Sequence, residues 1–184
     1  MPRGKIELIM GPMFSGKSTE LIRRVNRLNI AGRSILYIKH GSDNRYGNMD
    51  LYTHDKRSVE AISATELMPI YAQASNYDVI GIDEGQFYPD IIDFSERLAF
   101  EGKICIISCL DGNFKREPFE QIQHLISKAD KIDKLVAVCK FCGEDAPFSL
   151  RTINSEEEVS IGGAESYAPA CRECYAQRFY DKKH

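Results

Sequence analysis

A glycine-rich segment at residues 11–18 has the residue types and the spacing of a loop that binds phosphate. Two glycines stand five positions apart and are followed by a lysine and a serine; the full segment is Gly11, Pro12, Met13, Phe14, Ser15, Gly16, Lys17 and Ser18. Glycines let backbone N–H groups approach an anion, Lys17 can reach the β- and γ-phosphates, and Ser18 can bind Mg²⁺. The segment therefore predicts a site for a nucleoside triphosphate. The alternative interpretation is a glycine turn with an incidental lysine.

Two adjacent carboxylates follow an apolar run at residues 79–82. Phosphate-loop proteins hold the aspartate that supports Mg²⁺ at the end of such a strand, and Asp83 has that position. Glu84 is the next residue, so its side chain points elsewhere and can orient or deprotonate the nucleophile that attacks the γ-phosphate. A bound hydroxyl as nucleophile would make the protein a kinase, whereas water would make it an ATPase. The alternative interpretation is that both carboxylates only cap a turn.

Four of the six cysteines form two Cys-x-x-Cys pairs, a spacing typical of zinc ligands. The pairs are separated by 28 residues and consist of Cys139, Cys142, Cys171 and Cys174. Four thiolates leave no open position on a tetrahedral zinc ion, so the predicted site is structural. A zinc ribbon that binds nucleic acid is the rival interpretation, but residues 139–184 carry six Lys or Arg against eight Asp or Glu. Cys105 and Cys109 lie in an apolar run and are predicted to be buried.

Composition and charge narrow the class of protein. The 184 residues are 43% hydrophobic, which suits one ordinary globular domain with a small appended lobe. A net charge of −3 offers no broad positive field, so we expect neither nucleic-acid nor membrane partners. Apolar runs fall short of the roughly 20 residues that span a membrane, and the N-terminal residues lack a signal-peptide core. We therefore expect a soluble, cytoplasmic protein.

Short apolar runs alternate with amphipathic stretches along most of the chain. Strands are predicted at residues 6–10, 34–39, 78–83, 103–110 and 135–139, and helices at residues 18–31, 89–100 and 118–129. Such alternation favours a mostly parallel α/β sheet flanked by helices. The pattern changes near residue 140 to paired cysteines and glycines. We therefore predict an ATP-binding α/β domain at residues 1–138 and a zinc-binding lobe at residues 139–184.

Two sets of basic side chains have no predicted part in the chemistry. Arg23, Arg24 and Arg27 follow the phosphate loop on the first predicted helix, and we interpret them as a solvated or subunit-facing side. The four histidines show no ligand spacing with one another and are interpreted as surface or polar-contact residues.

A series of motifs resembles those of the zinc-containing thymidine kinases of the cellular and poxviral type. Besides the phosphate loop, these motifs are the Asp-Glu-Gly-Gln-Phe run at residues 83–87, the Leu-Asp-Gly-Asn-Phe run at 110–114, the Ile-Gly-Gly-Ala run at 161–164 with Tyr167, and the second cysteine pair. The resemblance extends from about residue 5 to about residue 175. It implies a RecA-like phosphate-loop fold whose small C-terminal zinc lobe carries a lasso-like loop.

The same resemblance implies an activity. Members of this family transfer the γ-phosphate of ATP to the 5′-hydroxyl of thymidine or deoxyuridine, using Mg²⁺ and a structural Zn²⁺, and supply dTMP for DNA synthesis. Glu84 matches their proton acceptor. The resemblance also implies a homotetramer that binds dTTP as a feedback ligand. The competing hypothesis is a phosphate-loop ATPase whose zinc lobe binds a partner macromolecule.

Substrate contacts implied by the resemblance fall on positions throughout the chain. Asp43 and Arg45 match a segment near the transferred phosphate, and Gln86 belongs to the strand-end motif expected at the ATP site. The residues expected around the nucleoside are Met13, Phe87, Leu110, Phe114 and Tyr167, together with the lasso residues Glu158, Val159, Ser160, Ile161 and Gly162. The alternative for the aromatic side chains is ordinary core packing, and for Arg45 it is a solvated surface position.

Overall fold

A six-stranded sheet lies at the centre of the computed structural model, which describes residues 3–41, 60–152 and 166–181. Its strands are β1 (Lys5–Gly11), β2 (Ile35–His40), β3 (Glu60–Ala64), β4 (Val79–Ile82), β5 (Ile104–Leu110) and β6 (Lys131–Lys134). They lie in the order β3-β2-β4-β5-β1-β6, and each neighbouring pair is parallel. The predicted fold class, a mostly parallel sheet flanked by helices, is confirmed.

Helices cover both faces of this sheet, and all three predicted helices are present. The helices of the main domain are α1 (Lys17–Ile30), α2 (Tyr71–Ala74), α3 (Ile91–Phe100) and α4 (Glu120–Ile126). On one face, Leu21 and Val25 of α1 pack with Ile106 of β5. On the other face, Phe94 of α3 and Leu125 of α4 join a larger apolar cluster. Within the described ranges, no helix has both the length and the apolar character needed to cross a membrane.

Strand β4 shows how the sheet positions the chemistry. Its side chains alternate between the two faces, so Ile80 and Ile82 join one apolar cluster and Val79 joins the other. Gly81 allows close approach of α1, because a Cβ at this position would lie 2.8 Å from Cγ2 of Val25. Since the carboxyl ends of parallel strands share one edge, the ends of β1, β4 and β5 place the phosphate loop and the two carboxylates side by side.

The sixth strand differs from the prediction. Residues 135–139 do not form a strand of the main sheet; Ala137–Val138 form β7, which pairs antiparallel with β8 (Asp145–Ala146). The strand beside β1 is β6, whose Lys-Ile-Asp-Lys sequence lacks an apolar run because it is a solvent-exposed edge. The other edge strand, β3, was not predicted either. The prediction relied on apolar runs and therefore missed both edge strands, β3 and β6.

The C-terminal lobe consists of short strands and one helix. Besides β7 and β8, it contains β9 (Phe148–Arg151), which pairs antiparallel with β10 (Tyr167–Ala170), and α5 (Arg172–Asp181). Hydrogen bonds between described residues join the lobe to the main domain. The Met13 N–H donates to Ser149 Oγ at 2.9 Å, and the Tyr175 hydroxyl donates to the Phe114 carbonyl oxygen at 2.6 Å. The lobe thus contacts the phosphate loop directly.

Arg24 does not lie on a solvated side of α1, contrary to the interpretation from the sequence. Its side chain is 11% exposed, and its guanidinium binds Glu7 at 3.1 Å, Glu20 at 2.7 Å and Asp133 at 2.7 Å. These partners lie on β1, α1 and β6. The side chain of Arg23, by contrast, is 61% exposed and pairs with Glu20. Arg24 therefore ties the phosphate-loop helix to two strands of the sheet.

Candidate active site and metal centre

The phosphate loop connects β1 to α1 through a backbone that requires glycine at two positions. A Cβ on Gly11 would lie 2.6 Å from the carbonyl oxygen of Leu135. Gly16, which precedes α1, has a φ of 80°, in the left-handed region that favours glycine. Phe14 has a positive φ of 67° as well, and its side chain is 47% exposed. The loop therefore lies at the N-terminus of a 14-residue helix, where free backbone N–H groups favour an anion.

Lys17 begins α1 and points back into the loop, where its Nζ donates to the Pro12 carbonyl oxygen at 2.7 Å. Burial lowers the pKa of the Lys17 ammonium, and the negative charges of Glu84 and Asp83 oppose that shift. Lys17 is thus a largely desolvated cation beside two carboxylates. A charge in such surroundings interacts more strongly with phosphate than the same charge in water does.

Asp83 is 4% exposed and its carboxylate is held by donors from four places in the fold. Its Oδ1 accepts hydrogen bonds from the hydroxyls of Ser18, at 3.1 Å, and Ser108, and from the Glu84 N–H at 3.0 Å. Its Oδ2 accepts from the Tyr37 hydroxyl at 3.2 Å. Burial, followed by the charge of Glu84, raises the pKa of the Asp83 carboxyl, although the hydroxyl donors oppose this. A cation at this carboxylate would therefore be favourable.

The residues around Asp83 fit a magnesium ion. Mg²⁺ prefers oxygen ligands at about 2.1 Å in octahedral geometry, so two adjacent ligand oxygens lie roughly 3 Å apart. The Ser18 hydroxyl and Asp83 Oδ1 are 3.1 Å apart. Both face the phosphate loop, from which the oxygens of a bound triphosphate would complete the coordination.

Glu84 is held in place by Gln86. The Glu84 backbone is left-handed, with φ 55° and ψ 43°, and its Oε2 accepts a hydrogen bond from Gln86 Nε2 at 2.6 Å. Gln86 is 2% exposed, its Oε1 accepts from the Leu110 N–H at 2.9 Å, and its carbonyl oxygen accepts from the Gln121 side chain. The Gln86 amide therefore connects Glu84 to the end of β5. Its contact with ATP stays a prediction, because the contacts described here are with protein groups.

The described residues of the predicted nucleoside pocket come from both parts of the fold. Met13 follows β1, and Leu110 is the last residue of β5. The ring of Phe87 lies 5.3 Å from that of His40. Phe114 belongs to the loop after β5, whereas Tyr167 begins β10. Phe114 and Tyr167 both contact a third side chain.

That side chain is Arg151, which sequence reasoning missed. Its Cζ lies 3.8 Å from the centroid of the Phe114 ring and 5.5 Å from that of Tyr167, and its Nη2 donates to the Tyr167 hydroxyl at 3.0 Å. Sequence reasoning also missed Ser149, which bonds to Met13, and Tyr37 and Ser108, which bond to Asp83. Tyr37, Ser149 and Arg151 lie outside the recognised motifs, and Ser108 lies two residues before one of them, so the motifs themselves did not include any of the four.

Seven predicted contact residues lie outside the described residues. They are Asp43 and Arg45, between β2 and β3, and the lasso residues Glu158, Val159, Ser160, Ile161 and Gly162, between β9 and β10. Their assignments stay predictions.

The four predicted zinc ligands come together in one cluster. The Sγ atoms of Cys139, Cys142, Cys171 and Cys174 all lie within 4.8 Å of one another. Cys142 Sγ and Cys171 Sγ are 3.6 Å apart, which is close to the roughly 3.8 Å expected for two thiolates bound tetrahedrally at about 2.3 Å from zinc. Cys105 and Cys109 are free and buried in β5, as predicted. The donor set therefore fits a structural zinc ion.

Local backbone structure presents the thiols of this cluster. The first pair lies in a tight turn, in which the Gly143 N–H donates to the Cys139 carbonyl oxygen at 3.0 Å and Gly143 has a φ of 83°. The second pair lies at the start of α5. Burial opposes ionisation of Cys139, but backbone N–H groups at Cys171, Phe141 and Cys142 outweigh it and lower the pKa of the Cys139 thiol to about 6. In the same cluster, burial and hydrogen bonds from the other cysteines raise the pKa of the Cys174 thiol to about 12. Zinc binds the thiolate form, so metal binding would release the protons that remain on the cluster.

Comparison with known sequences identifies close relatives. A family model described as thymidine kinase matches residues 4–175. Thymidine kinase 1 of Dictyostelium discoideum is 52% identical over 176 residues, which cover 94% of this chain and 78% of that protein. Thymidine kinase of vaccinia virus, strain Ankara, is 51% identical over 175 residues, covering 95% and 98% respectively. Thymidine kinase of monkeypox virus is 50% identical over a segment of the same length and coverage.

Comparison with solved structures supports the fold alone. The flagellar accessory protein FlaH of Methanocaldococcus jannaschii superposes with a TM-score of 0.58 at 16% identity, covering 79% of this chain and 76% of that one.

Proposed function

This chain belongs to the thymidine kinase family, and from that premise we propose how its residues carry out phosphate transfer from ATP to thymidine. The observation that supports the proposal is the position of Glu84. Its carboxylate lies at the end of β4, next to Asp83 and the phosphate loop, and is held there by Gln86 at 2.6 Å. A carboxylate so placed suits a proton acceptor for a bound hydroxyl.

ATP occupies the phosphate loop in this proposal. The contacts come from residues 11–18, with Asp83 and Gln86 beside them. Ser18 and Asp83 would hold Mg²⁺, which neutralises phosphate charge when bound. Lys17 exchanges its bond to the Pro12 carbonyl oxygen for the β- and γ-phosphates. Positioning and charge stabilisation carry most of the rate, as is usual in phosphoryl transfer.

Glu84 accepts the proton of the nucleoside 5′-hydroxyl while the 5′-oxygen bonds to the γ-phosphorus. The bond from that phosphorus to the β,γ-bridging oxygen breaks. ADP leaves and dTMP is formed. Arg45 and Asp43 lie near the transferred phosphate in this proposal, where Arg45 stabilises its charge. Deoxyuridine is a second acceptor.

The nucleoside base lies between the main domain and the lobe. Met13, Phe87, Leu110, Phe114 and Tyr167 surround it, and residues 158–162 supply backbone hydrogen bonds to its polar edge. Such a site penalises a base that leaves those groups unpaired. The chain division at residues 1–138 and 139–184 belongs to the same proposal, with the second part carrying the lasso and a structural Zn²⁺.

Four further properties are proposed, the first two on the basis of the family and the last two on the basis of charge and hydropathy. The enzyme is a homotetramer, is inhibited by dTTP, is located in the cytoplasm and has neither nucleic-acid nor membrane partners. Light scattering tests the assembly, and a monomeric mass would contradict it.

The test of the function is ADP release from Mg-ATP, measured without nucleoside and then with thymidine, deoxyuridine, deoxycytidine and deoxyadenosine in turn. We expect release only with thymidine and deoxyuridine, with the nucleoside monophosphate as product. Release that does not depend on any nucleoside would make water the acceptor and the protein an ATPase.

A further inference from the structure

We infer that Arg151 is a positioning residue for nucleoside binding, because its buried guanidinium holds Phe114 and Tyr167 in one cluster across the boundary between the main domain and the lobe. The inference rests on the proposed function, in which these two aromatic side chains form part of the nucleoside pocket.

The environment of Arg151 is unusual for an arginine. The residue is 5% exposed, although burying a guanidinium is costly unless partners replace its hydration. Two kinds of partner replace part of this hydration, although the Nε of Arg151 is buried without a hydrogen-bond partner among the described residues. The Phe114 ring lies under the guanidinium at 3.8 Å, and the Tyr167 hydroxyl accepts its Nη2–H at 3.0 Å. Arginine suits both contacts, since its planar group stacks on aromatic faces and presents donors at its edge.

The three residues belong to different parts of the fold. Arg151 ends β9 and is paired with Tyr167 of β10 in the antiparallel register. Phe114 lies in the loop that follows β5 of the main sheet, and its carbonyl oxygen is held from the lobe by the Tyr175 hydroxyl at 2.6 Å. Arg151 therefore fixes the side chain of Phe114 where Tyr175 already fixes its backbone.

The contact with Tyr167 also affects what that hydroxyl can do. Its oxygen accepts a hydrogen bond from the guanidinium, so the hydroxyl acts towards any other partner as a donor. A hydroxyl that accepts from a cation is polarised and is a better donor than an isolated one. We therefore expect Arg151 to set both the position of the Phe114 ring and the donor strength of Tyr167.

The test compares Arg151→Met and Arg151→Lys with a matched control, Arg116→Met. Arg116 also lies over aromatic rings of the lobe, at 4.6 Å from the Tyr175 centroid and 5.5 Å from that of Phe148. It is exposed, and the rings beside it are not those of the proposed nucleoside pocket. Steady-state kinetics are measured with thymidine and with ATP as the varied substrate, and zinc content is measured on the same samples.

Both Arg151 variants should raise the KM for thymidine about tenfold or more, the scale of a desolvated cation–π contact with its hydrogen bond. The KM for ATP and the zinc content should stay at wild-type values, and Arg116→Met should leave all three quantities unchanged. Arg151→Lys keeps the charge but loses the planar group, so it should resemble Arg151→Met. A thymidine KM at the wild-type value in Arg151→Met, or an equal rise in the KM for ATP, would overturn the inference.

A second variant keeps the inference testable if Arg151→Met does not fold. Tyr167→Phe removes only the hydroxyl, and the double variant Tyr167→Phe/Arg151→Lys should raise the thymidine KM by less than the product of the two single effects. Independent effects would contradict a shared role. Failure of the proposed function is distinct, since it would appear in the wild-type enzyme as ADP release that thymidine does not stimulate.

Discussion

The backbone of Glu84 is strained, since a left-handed conformation costs a non-glycine residue on the order of 1 kcal/mol. Its φ of 55° turns the chain at the end of β4, so that Glu84 and Asp83 point in different directions from adjacent positions. Gln86 then restrains the Glu84 carboxylate through a hydrogen bond of 2.6 Å. Strain and restraint at one carboxylate are what a pre-positioned proton acceptor requires.

Glu84→Gln should lower kcat for thymidine phosphorylation at least a hundredfold, the usual scale for loss of a general base. Binding of Mg-ATP should persist, because the phosphate loop and Asp83 are unchanged. Stopped-time assays of dTMP and equilibrium binding of a non-hydrolysable ATP analogue measure the two quantities. Glu96→Gln is the control, since Glu96 pairs with Lys128 on the surface. Near-normal turnover in Glu84→Gln would remove Glu84 from the mechanism.

Gln86→Met should lower kcat on the order of tenfold to a hundredfold, because Glu84 loses the donor that orients it. The KM for ATP should change little if Gln86 acts only through Glu84. Steady-state kinetics with ATP and thymidine varied separately distinguish the orientation of Glu84 by Gln86 from a direct contact of Gln86 with the nucleotide. A rise in the KM for ATP without a fall in kcat would favour the contact with ATP that the sequence predicted.

At the scale of elements, Arg24 anchors the helix that carries Lys17 and Ser18. Hydrogen bonds from Arg23 and Arg24 lower the pKa of the Glu20 carboxyl from 4.5 to about 2. Burial opposes ionisation of Glu7, but Lys5 and Arg24 lower its pKa, and Lys131 and Arg24 lower that of Asp133. A carboxylate with a depressed pKa in the folded state stabilises that state above its unfolded pKa and loses this effect as pH falls through the folded value.

Arg24→Met should reduce the free energy of unfolding at pH 7 by about 2 kcal/mol, somewhat less than for a fully buried ion pair. The difference from wild type should shrink as pH falls from about 4.5 towards about 2, because the partner carboxylates become protonated in both proteins. Denaturant unfolding at several pH values measures it. The exposed Arg23→Met is the control and should show a smaller loss at pH 7. A difference that does not depend on pH would contradict the role of the carboxylates.

At the scale of the whole molecule, the lobe contains the cysteine cluster and also contacts the candidate active site. Ser149 contacts the phosphate loop and Arg151 contacts Phe114, while α5 begins between Cys171 and Cys174. The apolar clusters of the lobe are small, so metal binding would supply much of its stability. Loss of zinc should therefore disturb nucleoside binding before it disturbs the main sheet.

Elemental analysis should find one zinc per chain, and removal by a chelator should abolish thymidine phosphorylation while Mg-ATP binding remains. Cys142→Ser should lose zinc and activity together, because a serine hydroxyl is a poor zinc ligand. Cys105→Ala is the control, since Cys105 lies buried in β5 away from the cluster. A folded, active and metal-free preparation would refute the structural zinc.

Sequence alone predicted the parallel α/β fold and the set of four cysteines, because both depend on local spacing, and it indicated the family through the resemblance of its motifs. Each motif can be recognised from a few neighbouring residues: the two glycines before Lys17, the apolar strand before Asp83 and each Cys-x-x-Cys pair. The strand predicted at residues 135–139 was assigned to the wrong sheet. Leu135 still donates its N–H to the Met10 carbonyl oxygen of β1, but Ala137–Val138 pair with β8, and apolar spacing does not indicate which strand a segment pairs with.

Only the tertiary structure decided which distant side chains meet. Arg24 reaches Asp133 across 109 positions, and Met13 meets Ser149 across 136. Arg151 stacks on Phe114 because β9 of the lobe lies against the loop after β5. Burial makes these contacts necessary, since a charged or polar group removed from water must find a partner, and only the folded chain determines which partner is near.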